Sequence, residues 1–515
     1  MRRKLFKFLS LIPLSLITAS SITSCSVSSN QFYMANFENY ISDDLKDILS
    51  NTYDNFNYRT FATNEDLERN FSRNYDIAIP STYLVAKMAN DGKLEPIDWS
   101  KFNLYKLDNQ GFRTNQKIMN AADALSLFTE KVVNILTNVY WLKDFTPEQG
   151  GLLNYMVPYF LQDFIFAYKN SERLTESDSK DLSNYKYWEK IIDYAGKNTG
   201  KDKSFNRIAL IDDYRSIYSI PRLIQTQKNS SNDSSPTIPT INPGNANNIT
   251  DTPVKPENNK TFSIQEFETT YKCLSDPFEG QKNSFLLNTD SNTILNNFAD
   301  PKGSDAAILY NGDALYAFQG GDNFSLENTF EKWLKANFNN DQFKLKIVRT
   351  NDTLMALDGI VINKNSKHKE MAYEIIKKVT LEGADMHLYA NQQQTEYAEN
   401  NIFDMDENDP ELYKWGPMLN FSYVQYTSPL KSINEYVLNS VDKFDTIGGF
   451  FTDSYSYLLD NEVLNKTQYK NYVKLLTSVY RIEREGTINN MIEQNLTDIN
   501  KSNMSNAFKN IKRRL

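Results

Sequence analysis

Carboxylates and aromatic rings placed where apolar runs end are the residues best able to do chemistry in this chain. Asp212 and Asp213 follow the run 207–211 (RIALI), and Tyr310 closes 306–310 (AAILY). Ser81 and Tyr83 follow 75–79 (YDIAI), just past Pro80, and Asp358 interrupts the apolar run 356–362 (ALDGIVI). In open α/β sheets ligands bind beyond the carboxyl ends of the strands. A desolvated ammonium needs carboxylate partners. Aromatic faces attract cations and pack against methylenes. The combination suits an alkyl amine. Asp358 is the strongest candidate, because an unpaired charge inside an apolar run is expensive. Structural roles stay open beside the functional ones. Ser81 and Asp213 are good helix N-cap types, and Phe37, Tyr40 and Tyr426 would serve equally as core aromatics.

Catalytic chemistry has little to work with. The only histidines are His368 and His387, each in or beside a helical pattern and neither near a G-x-S-x-G nucleophile turn. No HExxH, paired Cys/His spacing, phosphate-binding glycine loop or dinucleotide fingerprint occurs. Gly320 and Gly321 read as a turn. Asp404, Asp406 and Asp409 faintly suggest a calcium loop but lack its central glycine and closing glutamate. We therefore expect no enzyme activity, no cofactor and no metal.

The amino terminus has its own chemistry. Arg2, Arg3, Lys4 and Lys7 precede an apolar stretch, residues 8–18, too short to span a bilayer. This is the layout of a secretory signal peptide over residues 1–24. Residues 22–25 (ITSC) resemble the lipobox of bacterial lipoproteins, which implies cleavage before Cys25 and acylation of its thiol. Two or three acyl chains anchor firmly where one does not. The expected location is the outer face of the cell membrane. Cys273 is then left without a disulfide partner and reads as a small apolar core residue.

The elements that must position the strand-end residues alternate between strand and helix, which points to α/β layers. Strands are expected at 75–79, 207–211, 306–310, 343–348 and 359–363, with helices at 83–90, 131–142, 262–274 and 369–380 and from Tyr214 onward. Residues 226–260 are rich in Asn, Ser, Pro and Thr and read as a disordered surface insert. Residues 430–515 read as mostly helical. A net charge of −9 disfavours nucleic acid as a partner, and 31 Tyr with 31 Phe supply both core and stacking surfaces. Roughly 490 residues remain after the signal, enough for two or more lobes.

Taken in order, several segments resemble the spermidine/putrescine-binding subunits of ABC importers. Residues 75–88 (YDIAIPSTYLVAKM) with 92–98 (GKLEPID) are the most specific. Residues 37–40 (FENY), 157–159 (VPY), 207–218 (RIALIDDYRSIY), 308–312 (ILYNG), 356–362 (ALDGIVI) and 426–429 (YTSP) follow in the family's order. The resemblance implies a two-lobed α/β fold of the periplasmic-binding-protein type II (venus-flytrap) class, with insertions. It implies a tether at 25–31, lobe 1 from 32–157 and 358–428, and lobe 2 from 158–357 and 429–515. It implies that Phe37, Tyr40, Tyr310 and Tyr426 box the aliphatic chain, that Ser81, Tyr83 and Thr289 give polar contacts, and that Asp213 and Asp358 pair with ammonium groups. A monomer would capture a polyamine and hand it to an ABC permease with a cytosolic ATPase. The chain also departs from the family. A second acid falls on Ser216, one tryptophan on Ala356, and two others on Phe37 and Tyr310. The opening motif's acid falls on Asn39, with Glu38 adjacent to compensate. Which polyamine binds stays open. So does adhesion, or capture of another cationic solute, by a surface lipoprotein on this fold; the insert, an extra helical stretch at 101–157 and the thinner aromatic box favour it. A hydrolase using carboxylates is a third reading.

Overall fold

Among the described residues ten strands make the main sheet: β1 (Phe32–Phe37), β2 (Phe56–Phe61), β3 (Ile77–Ala78), β4 (Val157–Lys169), β5 (Ile208–Ile211), β6 (Phe285–Asn288), β7 (Ala306–Tyr310), β8 (Leu345–Val348), β9 (Asp352–Ile362) and β10 (Asn489–Ile492). The computed structural model describes residues 31–170, 174, 176–200, 203–230, 261–281, 283–322, 324, 329–386, 415–442, 449–482, 489–492, 496–513 and 515. Cys25, His387, the acids at 404–409 and residues 231–260 of the expected insert lie outside them.

The strand order is β2-β1-β3-β9-β4-β7-β5-β6, with β8 beside β4 and β10 beside β9. Parallel β2, β1 and β3 form one block, and parallel β7, β5 and β6 the other. Between them run β9 and β4, antiparallel from Met355 opposite Asp163 to Ile360 opposite Val157. One end of β9 pairs with β3, and one end of β4 pairs with β7. Each long strand thus belongs to a different block at its far end. This is a two-lobed α/β fold joined by crossing strands. A third link is Thr427, whose backbone exchanges hydrogen bonds of 2.9 and 3.1 Å with Leu161 of β4.

β4 is apolar almost throughout because both of its faces are covered. Ile165 and Ala167 join a core that fills the first lobe and continues onto one face of the second lobe's sheet. Phe164, Phe166 and Tyr168 point into a second core on the opposite face. Cys273 is half-buried against that second core. The helices that carry residues of the site or of the contacts beside it are α1 (Asn64–Asn74), α2 (Thr82–Asn90), α3 (Tyr214–Ser230), α4 (Asn311–Ala317), α5 (Lys466–Tyr480) and α6 (Asp498–Lys512). Among the described residues no helix is long and apolar enough to cross a membrane.

Several expectations need correction. Residues 131–142 do not form one helix; Glu130–Asn134 is α-helical and Ile135–Val139 widens into a π turn. β-Branched residues at 132, 133, 135, 137 and 139 crowd the ladder there. Residues 101–157 are not simply helical, since Tyr105–Leu107 and Arg113–Lys117 pair as an antiparallel hairpin. Its turn carries Gly111 at φ +83°, a conformation glycine adopts without cost. The insert begins later than 226, because 226–230 continue α3, where the Thr226 hydroxyl bonds back to the Arg222 carbonyl at 3.0 Å. The helical carboxyl-terminal region also contributes β10, parallel to β9 from Asn489 opposite Asp352. Long-range pairing, not local pattern, makes that strand.

Candidate functional site

Asp358 sits where the β9–β4 register shifts, between Asp358 and Gly359. Irregularities of this kind re-aim a side chain. The shift brings the chain tightly against β4: a Cβ on Gly359 would stand 2.1 Å from Met156 Cε and 2.9 Å from the Val157 carbonyl oxygen. Only glycine fits. The Asp358 side chain is 3% exposed. Its Oδ2 accepts 2.8 Å hydrogen bonds from the Tyr40 hydroxyl and from Gln162 Nε2. Gln162 Nε2 also lies 2.7 Å from the Tyr40 hydroxyl. Oδ1 of the same carboxyl is buried and, among the described residues, accepts no hydrogen bond. Burial pushes this carboxyl up to about 6, against the opposing pull of Ser81, Tyr40 and Gln162.

Tyr40 reaches Asp358 because the turn before it folds sharply. Asn39 has φ +55°, a region Asn tolerates better than most residues. Asn36 Nδ2 and the Tyr159 hydroxyl then hold the Tyr40 carbonyl at 2.9 and 2.6 Å. Glu38, expected to compensate for the opening motif's missing acid, is exposed. Around the buried Tyr40 ring stand Tyr159 at 5.2 Å, Tyr426 at 5.6 Å, Phe160 at 5.8 Å and Phe37 at 6.1 Å between centroids. Tyr426 in turn donates its hydroxyl to Asp313 Oδ1 at 2.6 Å. Gly312 makes room for this, since a Cβ there would lie 1.9 Å from Tyr426 Cδ1. Asp313, half-buried, is pushed up to about 6 by desolvation.

Ser81 takes the N-cap position of α2 but its side chain makes no capping bond. Its hydroxyl accepts instead from Asn64 Nδ2 at 3.1 Å, and its backbone forms a bridge with Asp358. Ser81, Tyr40, Phe37, Tyr426 and Asp358 therefore come together as one cluster.

The remaining expected residues form a second group. Asp213 caps α3: its Oδ2 accepts from the Ser216 amide at 2.9 Å and the Ser216 hydroxyl at 2.6 Å, and its Oδ1 from the Arg215 amide at 3.4 Å. Asp212 pairs with Lys512. Tyr310 stacks on Phe164 at 4.3 Å and lies 3.4 Å, hydroxyl to hydroxyl, from Ser216. Thr289, just past β6, is exposed. Tyr83 is buried, and the Arg215 guanidinium lies 4.1 Å from its ring centre. Arg215 Nη1 also pairs with Glu65 of α1 at 3.3 Å, and Lys501 of α6 lies 4.0 Å from Glu65 and 3.8 Å from Glu68. Side chains of the second lobe thus grip the first. Arg215→Ala is expected to disfavour the closed arrangement by about 1–3 kcal/mol. Small-angle scattering of the ligand-free protein should then show a larger radius of gyration, and an unchanged radius would mean that closure is held elsewhere.

Three participants escaped sequence reading: Gln162, Asp313 and Arg215. Gln162 and Asp163 were visible as a polar pair inside the apolar run 160–166 (FLQDFIF), and Asp313 as the acid directly after Asn311 and Gly312. Arg215 gave no signal. Among the described residues no group of three or more His, Cys, Asp or Glu could hold a metal. His368 precedes the helix Lys369–Ile376 and packs edge-on to Phe32 at 6.3 Å.

The sequence fits the family described as "hypothetical lipoprotein (MG045 family)" over residues 1–446. No curated protein matches it significantly. Among solved structures, a protein provisionally assigned as a spermidine/putrescine ABC transporter from Listeria monocytogenes is 16% identical, with a TM-score of 0.45 over 94% of this chain and 99% of that one. The spermidine/putrescine ABC transporter substrate-binding protein PotD from Streptococcus pneumoniae is 14% identical, with a TM-score of 0.44 over 94% and 99%. Thiaminase I from Bacillus thiaminolyticus is 11% identical, with a TM-score of 0.43 over 94% and 99%.

Proposed function

The chain belongs to the hypothetical lipoprotein (MG045) family, and from that premise we propose that it is a solute-binding subunit of an ABC importer that captures a cationic alkyl amine. In this reading acylated Cys25 anchors it to the outer face of the membrane, and it passes its ligand to a permease driven by a cytosolic ATPase. The amine is of the spermidine/putrescine class that PotD's name carries.

One observation carries the reading. Asp358 is buried where β9 pairs with β4, bonded to Tyr40 and Gln162, with one buried carboxylate oxygen that accepts no hydrogen bond among the described residues. A buried carboxylate left incompletely paired is costly, and strongly perturbed groups in clefts collect at functional sites. A bound ammonium would satisfy that oxygen and recover the cost. Tyr40 and Tyr426 then wall the aliphatic chain, with Phe37 behind Tyr40 and Ser81 beside the carboxylate. Tyr83, Tyr310, Thr289 and Asp213 line the approach from the second group. The crossing strands provide the hinge on which such a clamp closes.

Thermal unfolding of the whole chain in detergent, with putrescine, cadaverine, spermidine and spermine, tests this. A ligand at about 100 times its dissociation constant adds about 2.7 kcal/mol. A raised midpoint with one amine, absent in Asp358→Asn, is expected. No response to any amine sinks the amine reading.

A further inference from the structure

Resting on the reading of Asp358 as an ammonium partner, the geometry points to Asp313 as the second ammonium partner, which makes the site selective for short alkyl diamines. Sequence resemblance assigned that role to Asp213. Asp213, however, is engaged by three donors of its own helix: the Ser216 amide, the Ser216 hydroxyl and the Arg215 amide. An ammonium would have to share Oδ1 with the Arg215 amide, since Oδ2 already takes both Ser216 donors.

Asp313 is placed differently. Among the described residues a single hydrogen bond reaches it, from the Tyr426 hydroxyl to Oδ1 at 2.6 Å. The Tyr426 ring lies edge to face with Tyr40 at 5.6 Å, and the Tyr40 hydroxyl donates to Asp358 Oδ2 at 2.8 Å. The two carboxyls are therefore joined through two aromatic rings and two hydroxyls. Tyr426 lies close enough to both that burial first, then the negative charges of Asp313 and Asp358, raise its own hydroxyl pKa. Among the described residues each carboxyl keeps an oxygen that accepts no hydrogen bond within 3.5 Å: Oδ1 of Asp358, which is buried, and Oδ2 of Asp313. Rings between two anions give methylenes a surface and a cation a π face. A dication with one ammonium at each end matches both ends of this arrangement. A monoamine matches only one.

Two features hold the second carboxyl in place. Asn311 and Gly312 open α4 directly after β7, which puts Asp313 in the helix's first turn. Asn311 Nδ2 donates to the Thr427 hydroxyl at 2.9 Å, which ties α4 to the segment bearing Tyr426.

Titration calorimetry on the whole chain in detergent, with putrescine, cadaverine and n-butylamine, separates the outcomes. The parent should bind a diamine at least about tenfold more tightly than butylamine, since a charge-assisted contact is lost in the monoamine. Asp313→Asn should lose about tenfold or more for the diamine, change butylamine by less than about twofold, and so erase the preference. Tyr426→Phe, which leaves Asp313 charged but releases it, should weaken the diamine by less than Asp313→Asn does and keep part of the preference. Thermal midpoints of each variant identify any loss that comes from misfolding, and then the Tyr426→Phe ratio decides. If Asp313→Asn keeps the preference while Asp358→Asn abolishes binding, the second partner is wrong and the amine reading stands. If Asp213→Asn erases the preference and Asp313→Asn does not, the second ammonium sits on Asp213 and the inference fails. If the parent binds no amine at all, both fail together.

Discussion

Asp358→Asn should make the ligand-free protein more stable at pH 7 while removing its response to amines. In the folded protein burial raises this carboxyl from 3.8 to about 6. The folded state thus holds the proton more tightly than the unfolded chain does. The contribution of this carboxyl to stability is greatest below about pH 4, where both states are protonated, and falls as pH rises towards about 6. By pH 7 the whole penalty is present, about 3 kcal/mol for a shift of about 2 units at ~1.4 kcal/mol each. An amide carries no charge to bury and still accepts from Tyr40 and Gln162. Denaturant unfolding at pH 7 should place the variant above the parent by up to about 3 kcal/mol, with the gap closing towards pH 4. A variant less stable than the parent at pH 7, yet still shifted by an amine, would contradict both the electrostatics and the assignment.

Arg349→Met is expected to be the most damaging single change at the junction of the lobes. Asp163 of β4 is 0% exposed and the Arg349 side chain 7% exposed, with Nη1 3.1 Å from Asp163 Oδ2. Arg349 also donates to the carbonyls of Val479, at 2.5 Å, and of Arg481, tying the end of α5 to the crossing strand. Removing the guanidinium leaves a carboxylate buried without its counter-ion, at a cost of about 3–5 kcal/mol. Adding Asp163→Asn removes that charge and should recover a large part of the loss. A double-mutant cycle by urea unfolding measures this directly. Additive losses in the two single variants would mean that the pair is not coupled as its geometry requires.

Much of the fold could be read from local pattern. The apolar runs at 207–211 and 306–310 became β5 and β7, and Asp358 stood out because an acid interrupts an apolar run. Long-range packing hid the rest. Asp213 is at a strand end, as expected, but strand ends are also helix starts, and there the cap takes the carboxylate. Nothing near Arg215 reveals that it will meet Glu65, 150 residues earlier. β10 exists because β9 offers it an edge, and a four-residue segment, half of it asparagine, does not advertise that. The π turn at Ile135–Val139 likewise depends on crowding that a helical spacing pattern does not register.

On the proposed function, the guanidinium on Tyr83 would matter for traffic at the membrane. Arg215 lays a cation of the protein's own on a ring expected to meet the ligand, and with Glu65 it draws the lobes together unaided. If the proposed function holds, the protein carries a permanent placeholder for its cargo. A solute must displace that stand-in, so apparent affinity is reduced by the fraction of molecules it occupies. A permease that recognises closure would then meet empty carriers shaped like loaded ones, and uptake would depend on the ratio of the two rather than on solute concentration alone.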